Sequence, residues 1–201
     1  MKLSGRLVPP ATERVSAYQS FLVGTHIALR GLMREDMGIY RRWLDNSEVT
    51  HFMESGWRPA SDADIEQIYR ASTESPDTVA FGIVDRATGR LVGAAGLYLI
   101  QWVCRRGEFR IIIGDTKAWD RGLGSEAARL IVAYGFDRLN LETIYLGVNA
   151  GNKRAIRSYE KAGFQREGVR RKLIYRNGRY YDALMMSILR EEYYAKKPPS
   201  K

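Results

Sequence analysis

Apolar and polar positions change period several times along the chain, and each change marks an element. His26-Ile27-Ala28-Leu29 ahead of Gly31 predicts a strand over Thr25–Arg30, and the spacing from Asp36 to Leu44 predicts an amphipathic helix. Asn46 to Ala60, with His51, Phe52, Trp57 and Pro59, reads as a loop, after which Ser61 opens a second helix with Asp62 and Asp64 in its first turn. Thr78–Val84 and Leu91–Leu99 read as a hairpin across Asp85–Arg90, and Gly107–Gly114 extends the sheet. Ser125–Leu139 carries helix formers and Leu141–Val148 is a further strand. Asn152 is then an N-cap with Ala155, Ile156, Tyr159 and Ala162 on one face and Gly163 as the stop. Strands near Gly168–Tyr175 and Tyr180–Leu189 are joined through Asn177-Gly178, a strong hairpin signal.

Between the β-branched run Phe109–Gly114 and the helix after Ser125 lies Trp119-Asp120-Arg121-Gly122-Leu123-Gly124-Ser125. Two glycines at a strand-to-helix turn let the backbone adopt positive φ and approach a ligand, while unpaired N–H groups of the first helical turn point at it. Such a turn suits phosphate oxygens, although an ordinary glycine bend would give the same G-x-G pair.

Charge bears on this reading because it is unevenly spread. Residues 1–100 hold 11 Lys and Arg against 12 Asp and Glu, whereas residues 101–201 hold 21 against 11. Arg121, Lys153, Arg154 and Arg157 flank the two candidate helix starts, where positive potential would draw in an anion. A nucleic-acid-binding module would explain a pI near 9.7 but not the order of the motifs. Length and 45% hydrophobic content fit one domain over residues 21–193, with an N-terminal extension over 1–20 and a flexible tail over 194–201. The first twenty residues lack the apolar core of a signal peptide and no stretch reaches membrane-spanning length, so a cytoplasmic protein without a membrane partner is expected. A single cysteine, Cys104, excludes an intrachain disulfide, and the two histidines, His26 and His51, lack the clustering of a metal site, so no metal is expected.

Taken in order, the glycine turn, the Asn152–Phe164 segment with its Asn-x-x-Ala-Ile-x-x-Tyr-Glu-Lys-x-Gly-Phe pattern, and the Asn177–Asp182 strand resemble the GNAT acetyltransferases, most nearly their ribosomal-protein-alanine and amino-sugar branch. The resemblance covers about Val23 to Tyr193; Trp119 stands where many members have Gln or Arg. It implies an α+β fold, with a central mixed, mostly antiparallel twisted sheet of about seven strands flanked by helices on both faces. It also implies acetyl-CoA as co-substrate, direct transfer of acetyl to a primary amine, and assembly that is left open, a homodimer among the alternatives. By the same resemblance Ile112, Ile113 and Gly114 pair with the pantetheine arm and polarise the thioester carbonyl, and Arg121, Gly122, Leu123, Gly124, Ser125, Asn152 and Arg157 hold the cofactor. Tyr159 protonates the departing thiolate, and Glu108 is the candidate base, alongside a plain salt-bridged carboxylate.

The acceptor is less legible. Six Lys and Arg against one acid over Arg166–Arg179 argue against a polyamine and favour a small-molecule amine such as a nucleotide-linked amino sugar, with a protein N-terminal amine as the alternative. An acetyl-CoA-binding or nucleic-acid-binding module without turnover is the remaining class, against which the intact turn and Tyr159 speak.

Overall fold

The computed structural model describes residues 19–196. Most of the expected N-terminal extension, up to residue 18, and the tail from residue 197 onward lie outside the described residues. The elements run β1 (Leu22–Val23), β2 (Ile27–Gly31), α1 (Met37–Leu44), α2 (Ser47–Thr50), α3 (Asp62–Thr73), β3 (Val79–Asp85), β4 (Arg90–Gln101) and β5 (Arg106–Ile113). After the glycine turn come α4 (Leu123–Asp137), β6 (Thr143–Asn149), α5 (Lys153–Ala162), β7 (Gln165–Arg176), β8 (Arg179–Leu189) and α6 (Arg190–Ala195).

One sheet of eight strands follows the order β1-β2-β3-β4-β5-β6-β8-β7, and every pairing is antiparallel except β5 with β6. The α+β class and the mixed sheet are as expected; the eighth strand is the two-residue β1, too short to leave a periodic signal. Two further elements went unpredicted. The four-residue α2 sits inside the expected loop, where Asn46 caps it by accepting from the Glu48 N–H, and α6 continues through Ala195, inside the expected tail.

Side-chain alternation sorts the sheet into two layers. Val92, Ala95 and Leu97 of β4 and Phe109 of β5 join Leu123, Ala127, Ala128, Ile131, Val132 and Phe136 of α4 in the main core. Ala127 and Ala128 are fully buried, which lets α4 lie close to the sheet. On the opposite face Leu91 and Ala94 of β4 and Ile112 of β5 pack with Met37, Trp43 and Leu44 of α1 and Ile65 of α3. Ser61 caps α3 in a reciprocal capping box with Asp64, as its sequence indicates. The β7–β8 turn puts both Asn177 (φ 50°) and Gly178 (φ 79°) in the left-handed region, the geometry a tight hairpin needs.

Candidate active site

The parallel pairing of β5 with β6 lasts for only three residue pairs, Arg106 with Thr143, Gly107 with Ile144 and Glu108 with Tyr145. Beyond Glu108 the strands part and leave a wedge whose walls are the facing edges of β5 and β6. Gly114 donates its N–H to the Val92 carbonyl on β4. Because bonding direction alternates along a strand, Ile112 also faces β4, while Ile111 and Ile113 turn their main-chain groups into the wedge. The Ile113 carbonyl accepts from Trp119 Nε1 at 2.8 Å, which leaves the Ile111 and Ile113 N–H groups as donors on that edge. Main-chain donors expected at Ile112, Ile113 and Gly114 therefore reduce to Ile113, with Ile111 added.

Gly114 has another task. A Cβ there would lie 2.0 Å from Cγ and Cδ2 of Trp43, so its bare Cα is what allows the indole to pack beneath β5.

At the open end of the wedge α4 begins. Gly122, at φ 79°, occupies the N-cap position and no side chain caps the helix. The first intrahelical bond runs from the Glu126 N–H to the Gly122 carbonyl, so the N–H groups of Leu123, Gly124 and Ser125 lack intrahelical acceptors. All three residues line an open cleft of about 1590 Å³ that follows the wedge. An uncapped helix start beside a left-handed glycine is the cradle expected for phosphate oxygens. α5 opens onto the same cleft: Asn152 caps it by accepting from the Ala155 N–H at 3.1 Å, and Lys153, Arg154, Arg157 and Lys161 line the wall. The Arg154 guanidinium lies 3.8 Å from the centre of the Trp119 ring, and this stack keeps a cation beside the glycine turn.

The Arg121 side chain, expected at the cofactor, turns toward the sheet. Its guanidinium bonds Asp85 at 2.8 Å, at the end of β3, and the residue does not line the cleft. Asp85 is buried, and although burial alone would raise its pKa, Arg121 and the Ala87 N–H hold the carboxyl below its ordinary value. Arg121 is thus a strut between the sheet and the glycine turn.

Tyr159 projects from the inner face of α5 into the cleft and packs edge-on against Phe109 at 5.9 Å and Phe164 at 6.0 Å. Burial pushes its hydroxyl pKa well above the usual tyrosine range, and that hydroxyl bonds no group among the described residues. The phenol is thus held neutral where it faces the cleft. Glu108 lines the cleft at the vertex of the wedge, where Arg110 bonds its carboxylate at 2.8 Å. Glu108 is thus an ion-pair partner that also faces the cleft.

Three features of the cleft escaped the sequence reading. Glu48 of α2 and Glu54 of the following loop join Glu108 as carboxylates on its walls. Asn149, 2% exposed at the end of β6, accepts from the Gly151 N–H through Oδ1 and keeps a buried Nδ2 without a partner. Of the six cations over Arg166–Arg179 only Arg170 lines the cleft: Arg166 pairs with Glu160, and Arg176 spends its terminal nitrogens on the carbonyls of Met53, Ser55 and Gly56. His26 bonds Glu126 of α4, and Cys104 is exposed in the β4–β5 turn. No helix among the described residues is long and apolar enough to cross a membrane.

Comparison with known proteins agrees with this geometry. Residues 26–165 match the family model described as the acetyltransferase (GNAT) domain. The spermidine N(1)-acetyltransferase of Escherichia coli K12 is 34% identical over 177 residues, covering 84% of this chain and 89% of that protein. The spermidine N(1)-acetyltransferase of Vibrio cholerae is 29% identical over 172 residues, covering 85% and 97%. The crystal structure of the Vibrio cholerae spermidine N-acetyltransferase in complex with CoA and spermine superposes with a TM-score of 0.76 at 28% identity, over 85% of this chain and 99% of that one.

Proposed function

The chain belongs to the acetyltransferase (GNAT) family and is an N-acetyltransferase with acetyl-CoA as co-substrate, and on that premise we propose that its acceptor is a primary amine of a short, cationic polyamine. Four carboxylates line the cleft, Asp120 of the glycine turn beside Arg154 and then Glu48, Glu54 and Glu108, and the last three carry the acceptor class. Counting charges along the β7–β8 hairpin ranked a polyamine low and favoured a small-molecule amine such as a nucleotide-linked amino sugar. The fold removes the basis of that count, because Arg166 and Arg176 are committed elsewhere and only Arg170 reaches the cleft. The relatives named as spermidine acetyltransferases, one of them solved with CoA and spermine, support the same class.

In this reading acetyl-CoA supplies the activated acetyl thioester. The N–H groups of Leu123, Gly124 and Ser125 and the cations of α5 hold its phosphates. The N–H groups of Ile111 and Ile113 pair with an extended amide chain along the wedge as a neighbouring strand would, and one of them is placed to stabilise charge growing on a carbonyl oxygen. Tyr159 gives its proton to the leaving sulfur. Glu108, directly or through water, takes the proton from an amine that is otherwise charged at neutral pH. Holding both reactants in one cleft contributes most, about 7–11 kcal/mol where the geometry is near attack.

The carboxylates provide the test. Changing Glu48 and Glu54 together to Gln should raise KM for spermidine by about tenfold, close to 1.4 kcal/mol, and leave KM for acetyl-CoA unchanged. An unchanged spermidine KM would remove these carboxylates, and with them the argument for a cationic acceptor.

A further inference from the structure

The loop from His51 to Ala60, between α2 and α3, forms part of the cleft wall through His51, Phe52, Met53, Glu54 and Ser55. It has no sheet or helix bonds of its own beyond the end of α2. Met53 packs against the core that holds Ile112 and Phe52 lies beside Gly151, while the hydrogen bonds that reach the loop from beyond α3, among the described residues, come from one side chain. Arg176, the last residue of β7, donates from Nη1 to the Gly56 carbonyl at 2.8 Å and from Nη2 to the carbonyls of Met53 at 2.7 Å and Ser55 at 2.6 Å. No carboxylate pairs with this guanidinium among the described residues, and its buried Nε makes no bond. The side chain is thus given over to gathering three carbonyls of one loop.

The chemistry of the contact fits holding rather than binding. A planar guanidinium can serve several acceptors at fixed angles, whereas a lysine ammonium acts as a point charge on a flexible stem. The tight hairpin at Asn177 and Gly178 sets the orientation of Arg176 relative to its cross-strand partner Arg179. Glu54, one of the cleft carboxylates, lies between two of the captured carbonyls.

We infer that Arg176 is a positioning residue for acceptor specificity: it latches the 53–56 loop to the β7–β8 hairpin and so fixes the Glu54 carboxylate on the cleft wall. This rests on the polyamine reading for its kinetic consequence, while the latch itself is a statement about the loop. Arg176 touches no reacting atom.

The test compares Arg176→Lys and Arg176→Met with the unaltered full chain in two assays. In the first, a glutamate-specific protease reads the loop through cleavage after Glu54. In the second, steady-state kinetics separate KM for spermidine, KM for acetyl-CoA and kcat. The latch predicts faster cleavage after Glu54 in both variants. It also predicts a spermidine KM raised about tenfold in Arg176→Met and less in Arg176→Lys, with acetyl-CoA KM held. Cleavage at the unaltered rate would overturn the proposal. So would accelerated cleavage throughout the chain with both KM values shifted, because Arg176 would then support the fold at large. If the unaltered enzyme turned over no polyamine, the functional reading would fail, and the cleavage rates would still decide for or against the latch.

Discussion

Replacing Gly114 by alanine separates packing from ligand binding at one atom. The new Cβ would sit 2.0 Å from Cγ and Cδ2 of Trp43 and 2.5 Å from Cδ1. Carbon atoms pack comfortably near ~3.5–4.0 Å, so indole or strand must give by about 1.5 Å. Trp43 is 5% exposed, and its ring has Tyr40 as an aromatic neighbour at 5.6 Å, so it has no solvent-side exit. Overpacking of this kind costs about 1–3 kcal/mol. At about 2–4 °C per kcal/mol for a chain of this size, Tm should fall by roughly 2–12 °C in scanning calorimetry. The penalty should largely vanish in a Trp43→Val background, giving a coupling energy of the same order as the penalty itself. Because the Gly114 N–H is already donated to Val92, acetyl-CoA affinity of the folded variant should stay within about threefold of the original, under 1 kcal/mol. An unchanged Tm would refute the packing argument, and lost affinity with an intact Tm would return Gly114 to the cofactor site.

Tyr159→Phe should lower kcat by about 10²–10⁴ while Tm and acetyl-CoA affinity hold, since the hydroxyl bonds no group among the described residues and the ring contacts persist; unaltered kcat would remove Tyr159 as the acid. In Gly124→Asp the new Cβ meets only ordinary contacts, with Ile113 at 3.7 Å and Ile111 at 4.0 Å, so the fold should survive while a carboxylate beside the phosphates weakens acetyl-CoA binding by at least about tenfold in calorimetry. Arg121→Ala should cost about 1–3 kcal/mol of stability at neutral pH, less than a fully buried pair because the guanidinium is 43% exposed, and should leave acetyl-CoA affinity nearly unchanged. Asp85 has a lowered folded pKa, so its contribution is present above the ordinary carboxylate range and is lost as pH falls through the folded value; the stability gap between the two proteins should therefore close below about pH 4.

Local rules carried the sequence reading furthest where one short segment determines its own geometry. Gly122 at the head of α4, Asn152 and Gly163 at the ends of α5, Ser61 at α3 and the Asn177-Gly178 turn were all legible, because caps and turns depend on neighbours within a few residues. The wedge was not legible: the family resemblance supplied a strand at Ile112–Gly114 that pairs with the pantetheine arm, but nothing in β5 or β6 alone says that their pairing ends after Glu108. Contacts across long separations were invisible. Arg121 finds Asp85 36 residues away, Arg176 finds Met53 123 residues away, and Gly114 makes room for Trp43 on an earlier helix. The surroundings of the hairpin cations were hidden for the same reason: a count of charges along a hairpin ignores which of them the fold neutralises or turns aside. A tally of acids in the aromatic loop between α1 and α3 would have pointed to Glu48 and Glu54.

The most direct measurement is thiol release by the purified enzyme with acetyl-CoA and, in separate reactions, spermidine, spermine, a nucleotide-linked amino sugar and a peptide with an N-terminal alanine. The account predicts saturable turnover with the two polyamines, a monoacetylated product by mass spectrometry, and little with the other acceptors. Turnover confined to the amino sugar or the peptide would contradict it and restore the anionic or protein acceptor.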